Sequence, residues 1–287
     1  MKLVRFGDPG DERPGIVDRQ GRIRDLSGHV SDFAPDTLSP TGLSAIAEID
    51  AESLPIAPAG IRLGPCVGRV GKLICVGLNY SDHAAESGMP VPTEPVLFMK
   101  ATSAIAGPND DVEIPPGAQK VDWEVELGVV IGRQARYVTR ERALDYVAGY
   151  CVVNDVSERA YQLERGGQWD KGKGCDTFGP LGPWLVTRDE IPDPQALDMW
   201  LEVDGKRYQN GNTKTMIFDV ATLVSYISQF MSLQPGDVIS TGTPPGVGMG
   251  QKPEPVYLRP GQTMRLGIAG LGEQHQRTVQ ARIEEAL

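Results

Sequence analysis

The sequence is interrupted by 34 glycines and 23 prolines, and that punctuation is the tightest constraint on its fold. Proline removes a backbone donor and glycine is entropically costly inside regular elements, so long helices do not survive such spacing. The chain is therefore expected to be built from many short strands and shaped loops, and all-helical architectures are disfavoured. At 287 residues it can bury a sizeable core, as two domains of ~150 residues or as one larger β-rich unit.

Composition narrows the partners. Hydrophobic residues at 40% and charged residues at 23% suit a soluble globular protein rather than a disordered or membrane-spanning one. The 28 Lys and Arg against 38 Asp and Glu leave a net charge of −10, the wrong sign for holding a phosphate backbone, so nucleic acid is not an expected partner. Met1 to Gly7 lacks the apolar run of a signal peptide, and no later stretch approaches ~18 uninterrupted apolar residues. These features predict a cytoplasmic protein with no membrane partner. Cys66, Cys75, Cys151 and Cys175 show no CxxC spacing and read as buried or incidental thiols.

Along the chain, residues 1–65 carry short apolar pieces such as Leu3-Val4-Arg5-Phe6 and Gly15-Ile16-Val17 and are expected to form a small β-rich N-terminal domain. The breaker-rich run from Ile56 to Pro65 places a boundary near residue 66, with residues 66–287 as the second domain. Strands are predicted over 73–78, 96–99, 123–131, 148–154, 200–203, 238–241 and 264–268. Two helices are predicted, one beginning at Thr139. In the other, Val220, Leu223, Val224, Ile227, Phe230 and Met231 recur at helical spacing, a core-packing pattern.

The strongest chemical signal is Asp122-Trp123-Glu124-Val125-Glu126-Leu127-Gly128-Val129-Val130-Ile131. It alternates as a strand, with Trp123, Val125, Leu127, Val129 and Ile131 on one face and Glu124 and Glu126 on the other. Residues two apart on a strand stand ~6.6 Å apart, close enough for two carboxylates to share a hard cation. From the pattern alone, two solvated residues on the outer face of a half-buried strand is the commoner reading. Asp155 ends the apolar run Tyr150-Cys151-Val152-Val153-Asn154 and is either a third oxygen ligand or a turn or capping residue. A set of three carboxylates suits Mg²⁺ or Mn²⁺ rather than Zn²⁺.

Of the three histidines, His29 and His275 have surface contexts. His83 follows a predicted strand end and precedes Glu86 by three residues, so in a helical turn the carboxylate would orient the imidazole and raise its basicity. An exposed helical pair is the bland alternative. Gly172-Lys173-Gly174 and the Gly-rich run from Gly242 to Gly248 match no nucleotide-binding pattern. They are either ordinary turns or shaped loops that carry Lys173 and Thr243 toward a substrate.

Taken together, the chain resembles the fumarylacetoacetate hydrolase superfamily. The matching residues are Cys75-Val76-Gly77-Leu78-Asn79-Tyr80 with His83 and Glu86, Pro95 to Lys100, Glu124 to Gly128, Asp155 with Arg159 and Gln162, Lys173, and Ser240 to Pro244, in family order across residues 70–270. The resemblance implies a β-rich α+β fold, a mixed β-sandwich roll, usually dimeric, binding Mg²⁺ or Mn²⁺ through Glu124, Glu126 and Asp155. It further implies that His83 and Glu86, on a mobile lid, activate water, that Lys173 stabilises developing charge, and that Arg159, Gln162 and Thr243 hold substrate.

The implied reaction is retro-Claisen hydrolysis of a 2,4-dioxo acid to pyruvate and a carboxylic acid, with the metal as Lewis acid. Isomerisation or decarboxylation of 2-oxo diacids is the alternative on the same site, because fold does not fix reaction. A metal-stabilised binding protein without turnover is a further alternative, which the water-activating pair argues against. Gly166-Gly167-Gln168-Trp169 and Gln251-Lys252-Pro253 resemble the branch labelled 2,4-diketo-3-deoxy-L-fuconate hydrolase, a sugar-acid catabolic activity, or ureidoglycolate lyase.

Overall fold

The computed structural model describes residues 1–82 and 91–283; His83 and Glu86 lie outside the described residues. Strand Val125–Ile131 occupies the middle of the larger sheet, antiparallel to Val147–Asn154 on one side and to Val238–Ser240 on the other. A near-continuous apolar run of this kind demands cover on both faces, and all seven of its residues are buried. Val125, Leu127, Val129 and Ile131 enter a core shared with Met199, Leu201, Leu266 and Ile268. The last four come from Asp198–Val203 and Thr263–Ile268, the central strands of a second, five-stranded sheet. The two sheets form a β-sandwich with short helices at its margins, a β-rich α+β fold.

On the opposite face, Val130 packs with Leu3, Phe33, Leu38 and Leu185 in a second core. The solvated outer face that simple alternation favours is therefore absent, because residues 1–65 cover it. Their strands continue the larger sheet in the order Ile23–Asp25, Arg13–Val17, Lys2–Phe6, joined to Gly179–Thr187 through the pairs Lys2 with Val186 and Leu3 with Leu185. The proposed division near residue 66 separates two segments that share one sheet and one core.

Several elements differ from the sequence reading. Gly179–Thr187 is a nine-residue strand hidden by its two glycines and two prolines. It tolerates them because its pairing with Val147–Asn154 is broken by an irregularity beside Gly182. Gly272–Gln280 is also a strand. Its inward side is polar: the buried Gln274 donates to Val152 O and Gly182 O, and Gln276 donates to Pro108 O. Apolar periodicity cannot detect such a strand.

The helix expected from Thr139 is a 3-10 segment, Arg140–Tyr146, with no side-chain cap from Thr139. The second helix runs Val220–Ile227, capped by Asp219, and ends before Phe230. Leu233 bridges to Ala135, drawing the chain out of the helix and leaving Phe230 62% exposed. No helix among the described residues is long and apolar enough to cross a membrane.

Candidate functional site

Register brings the carboxylates together. Asn154 pairs with Val125 and Val153 with Glu126, so the residue after the strand, Asp155, arrives opposite Glu124 and donates its backbone N–H to Glu124 O at 2.9 Å. Glu124, Glu126 and Asp155 are all buried, and one oxygen from each lies within 4.8 Å of the others. Glu126 is fixed from a third strand: Ser240 Oγ and Gly242 N–H donate to its Oε2 at 2.6 and 2.9 Å.

Buried like charges demand compensation. Lys173 Nζ lies 2.8 Å from both Glu124 Oε2 and Asp155 Oδ2. Lys100 Nζ lies 2.5 Å from Asp155 Oδ1, and Arg159 Nη2 lies 2.7 Å from Glu124 Oε1. Burial alone would push the Glu124 carboxyl up, but Lys173 and Arg159 outweigh it and hold the group well below the usual carboxylate range. Burial would likewise lower the Lys173 ammonium, yet Asp155 and Glu124 raise it, so it stays charged. Glu126 differs. Burial, then Asp155 and Glu124, push its carboxyl well above the usual range, and among the described residues no cationic side chain pairs with it. Three converging hard oxygen donors, one lacking a cation, fit Mg²⁺ or Mn²⁺.

Lys173 closes a single helical turn, Asp170–Lys173, packed against the helix Arg159–Leu163. Gly172 permits that packing, since a Cβ there would lie 2.3 Å from Glu158 O and 2.5 Å from Gln162 N. Arg159 also donates to Asp122 and to Gln162 Oε1. A cavity of about 310 Å³ opens onto Glu124, Glu126, Arg159, Gln162, Lys173 and Thr243. Thr243 lines its wall with a hydroxyl already engaged, donating to Val125 O and accepting from Gln209 Nε2. Asp155 is reached through Lys173. The structure thus gathers all the expected site residues it describes. A larger cleft of about 760 Å³, between helix Pro40–Ala47 and the segment around Arg188, contains none of them.

Two charged members were quoted in the sequence motifs but given no role there. Lys100 ends the edge strand Val96–Lys100 and looks like a surface lysine, yet its side chain is fully buried on Asp155. Asp122 accepts from Arg159 and from the backbone N–H groups of Trp123, Gly248 and Met249, tying the Gly-rich loop to the site. Its place two residues before Glu124 was the only signal available. His29 and His275 are exposed and away from the carboxylates, as their contexts suggested.

Comparison with known proteins agrees with this geometry. Residues 72–279 match the family described as fumarylacetoacetate (FAA) hydrolase, C-terminal. A protein of Burkholderia multivorans, named only provisionally as a hydrolase, is 68% identical over 282 residues, covering 98% of this chain and 100% of the relative. The solved maleylpyruvate hydrolase of Sphingobium sp. SYK-6, in complex with manganese (II) ion and pyruvate, is 32% identical with TM-score 0.82, covering 98% of this chain and 100% of its own. The 5-carboxymethyl-2-hydroxymuconate delta-isomerase of Mycobacterium smegmatis is 33% identical with TM-score 0.78, covering 99% of this chain and 100% of its own.

Proposed function

Since the chain belongs to the fumarylacetoacetate hydrolase family, we propose that it is a divalent-metal-dependent hydrolase that cleaves the C3–C4 bond of a 2,4-dioxo acid, releasing pyruvate and a carboxylic acid. The observation that carries the reading is the convergence of Glu124, Glu126 and Asp155 beside a cavity that Glu124, Glu126, Arg159 and Lys173 line. Held by those three carboxylates, Mg²⁺ or Mn²⁺ would act as a Lewis acid toward the 2-oxo carboxylate end of the substrate.

The remaining chemistry falls to the protein's own groups. Arg159 and Gln162 face the cavity and bind the substrate carboxylate, Arg159 being preset by its bond to Asp122. Lys173, charged and buried, offers positive charge where negative charge develops. His83, oriented by Glu86, takes a proton from water as its oxygen adds to C4. Collapse at C4 breaks the C3–C4 bond, whose electron pair passes to the pyruvate fragment as an enolate, and a proton returns to C3. The backbone and ion-pair partners of Glu124, Glu126, Asp155 and Lys173 keep these groups in place without reorganisation during turnover.

Similarity to the M. smegmatis isomerase favours a second reading, isomerisation or decarboxylation of a 2-oxo diacid on the same site. Product analysis separates the two. Incubating the Mn²⁺-loaded protein with a panel of acylpyruvates should yield equimolar pyruvate and carboxylic acid, and chelation should stop it. A shifted double bond or carbon dioxide in place of pyruvate would support the second reading.

A further inference from the structure

The cavity has two chemically distinct ends. Lys173 Nζ lies 4.9 Å from the centroid of the Phe98 ring, and Phe98 in turn meets the indole of Trp169 edge-on at 5.3 Å. Moving outward from the carboxylates, the wall therefore changes from charge to aromatic face. Leu78, Leu163, Val247 and Met249 add apolar surface to the same cavity, which Lys252 also lines.

That wall is built rather than incidental. Gly77 ends strand Leu73–Gly77 without a positive φ, so its backbone does not require glycine. What requires it is the indole: a Cβ on Gly77 would lie 2.6 Å from Trp169 Cζ3 and 3.1 Å from Cη2. The next residue, Leu78, is held at φ 55, a conformation costly for a branched side chain. Asn79 enforces it by bonding Thr241 O, Phe218 O and Phe218 N–H. Trp169 itself begins the turn that carries Lys173, its carbonyl accepting from Lys173 N–H at 3.1 Å. The apolar wall and the charged end are thereby set at fixed separation.

We propose that Trp169, seated on Gly77, forms an apolar subsite that selects 2-oxo acids with a flat, apolar tail and discriminates against hydroxylated tails. This rests on the hydrolase reading only for the part of the substrate that the tail represents, the acyl group beyond C3. A hydroxylated tail placed on this wall would lose water without gaining partners, whereas a flat apolar tail would stack on the indole. The inference runs against the sugar-acid substrate suggested by the Gly166-Gly167-Gln168-Trp169 motif, although it uses the same tryptophan.

Calorimetric titration of the Mn²⁺-loaded protein tests it without requiring turnover. Phenylpyruvate should bind at least about tenfold more tightly than a 2-oxo acid of similar length carrying vicinal hydroxyls. Trp169→Ser should bring that ratio toward unity, Trp169→Phe should restore most of it, and binding of tailless oxalate should be unchanged throughout. Gly77→Ala, which displaces the indole without removing it, should act like Trp169→Ser and carries the test if the latter fails to fold. Equal or tighter binding of the hydroxylated acid, or a ratio unmoved in variants that still bind oxalate, would overturn the subsite. Turnover distinguishes the two claims: apolar preference without acylpyruvate cleavage removes the hydrolase and leaves the subsite, and cleavage without that preference does the reverse.

Discussion

Replacing Glu126 by Gln separates a metal ligand from a structural residue, because the two roles predict opposite consequences. The carboxylate oxygens stand within 4.8 Å of one another. Two unit charges at that separation, in an effective dielectric of ~20, repel by about 3.5 kcal/mol. Glu124 and Asp155 are themselves ion-paired, and the raised Glu126 carboxyl takes up a proton more readily than an ordinary carboxylate, so only part of that repulsion is felt in the metal-free protein. Glutamine removes it while its amide oxygen still accepts from Ser240 Oγ and Gly242 N–H, at a loss of about 1 kcal/mol for each bond that is no longer charge-assisted. The metal-free variant should therefore lie between unchanged and about 2 kcal/mol more stable than wild type, a Tm rise of at most roughly 8 °C. With Mn²⁺ the order reverses. Wild type at a hundred times its Kd gains about 2.7 kcal/mol, and the variant should gain almost none. Thermal unfolding with and without Mn²⁺, alongside calorimetry, reads both effects. A metal-free variant destabilised by more than about 2 kcal/mol that keeps the full Mn²⁺ shift would refute the reasoning.

Three further outcomes are expected. His83→Ala should bind Mn²⁺ and oxalate nearly as wild type but lose ~10² to 10⁴ in hydrolytic rate, and undiminished turnover would remove the general-base role. Asp18 accepts from Arg24, Arg22 and the backbone N–H of Gln20 and Arg22, which together outweigh burial and hold its carboxyl below the usual range. A depressed folded value adds stability above the unfolded Asp value of ~3.9 and loses it as pH falls further. The stability gap between wild type and Asp18→Asn should accordingly be full at neutral pH and close on acidification below that value; a gap independent of pH would sink this assignment. Light scattering at micromolar concentration should report a dimer, and a monomer would count against the assembly proposed from the family.

How much of this was legible in the sequence depended on whether a residue's neighbours in space were also its neighbours in the chain. The run from Val125 to Ile131 declared a strand through its own periodicity, and Glu124 with Glu126 were marked by their place at its start. What buried them was not visible locally: residues 1–65 cover the far face through contacts such as Val130 with Leu3 and Phe33. Lys100 escaped because an edge-strand lysine is normally solvated, and only pairing with Leu73 and closure onto Asp155 bury it. The strand Gly272–Gln280 escaped because Gln274 spends its amide on backbone carbonyls of the larger sheet and Gln276 on the carbonyl of Pro108, making glutamine an inward residue. Trp169 was noticed as a motif, but its role depends on Gly77, which lies about ninety residues earlier in the chain and across the cavity.

The central claim is that three buried carboxylates hold the ion on which carbon–carbon cleavage depends. Its most direct test is to strip the protein with a chelator, return Mn²⁺ in steps, and follow pyruvate release from an acylpyruvate. Release should be absent in the stripped protein and return saturably with one ion bound per chain. Undiminished pyruvate release in excess chelator, or full metal occupancy with no pyruvate from any 2,4-dioxo acid, would contradict it.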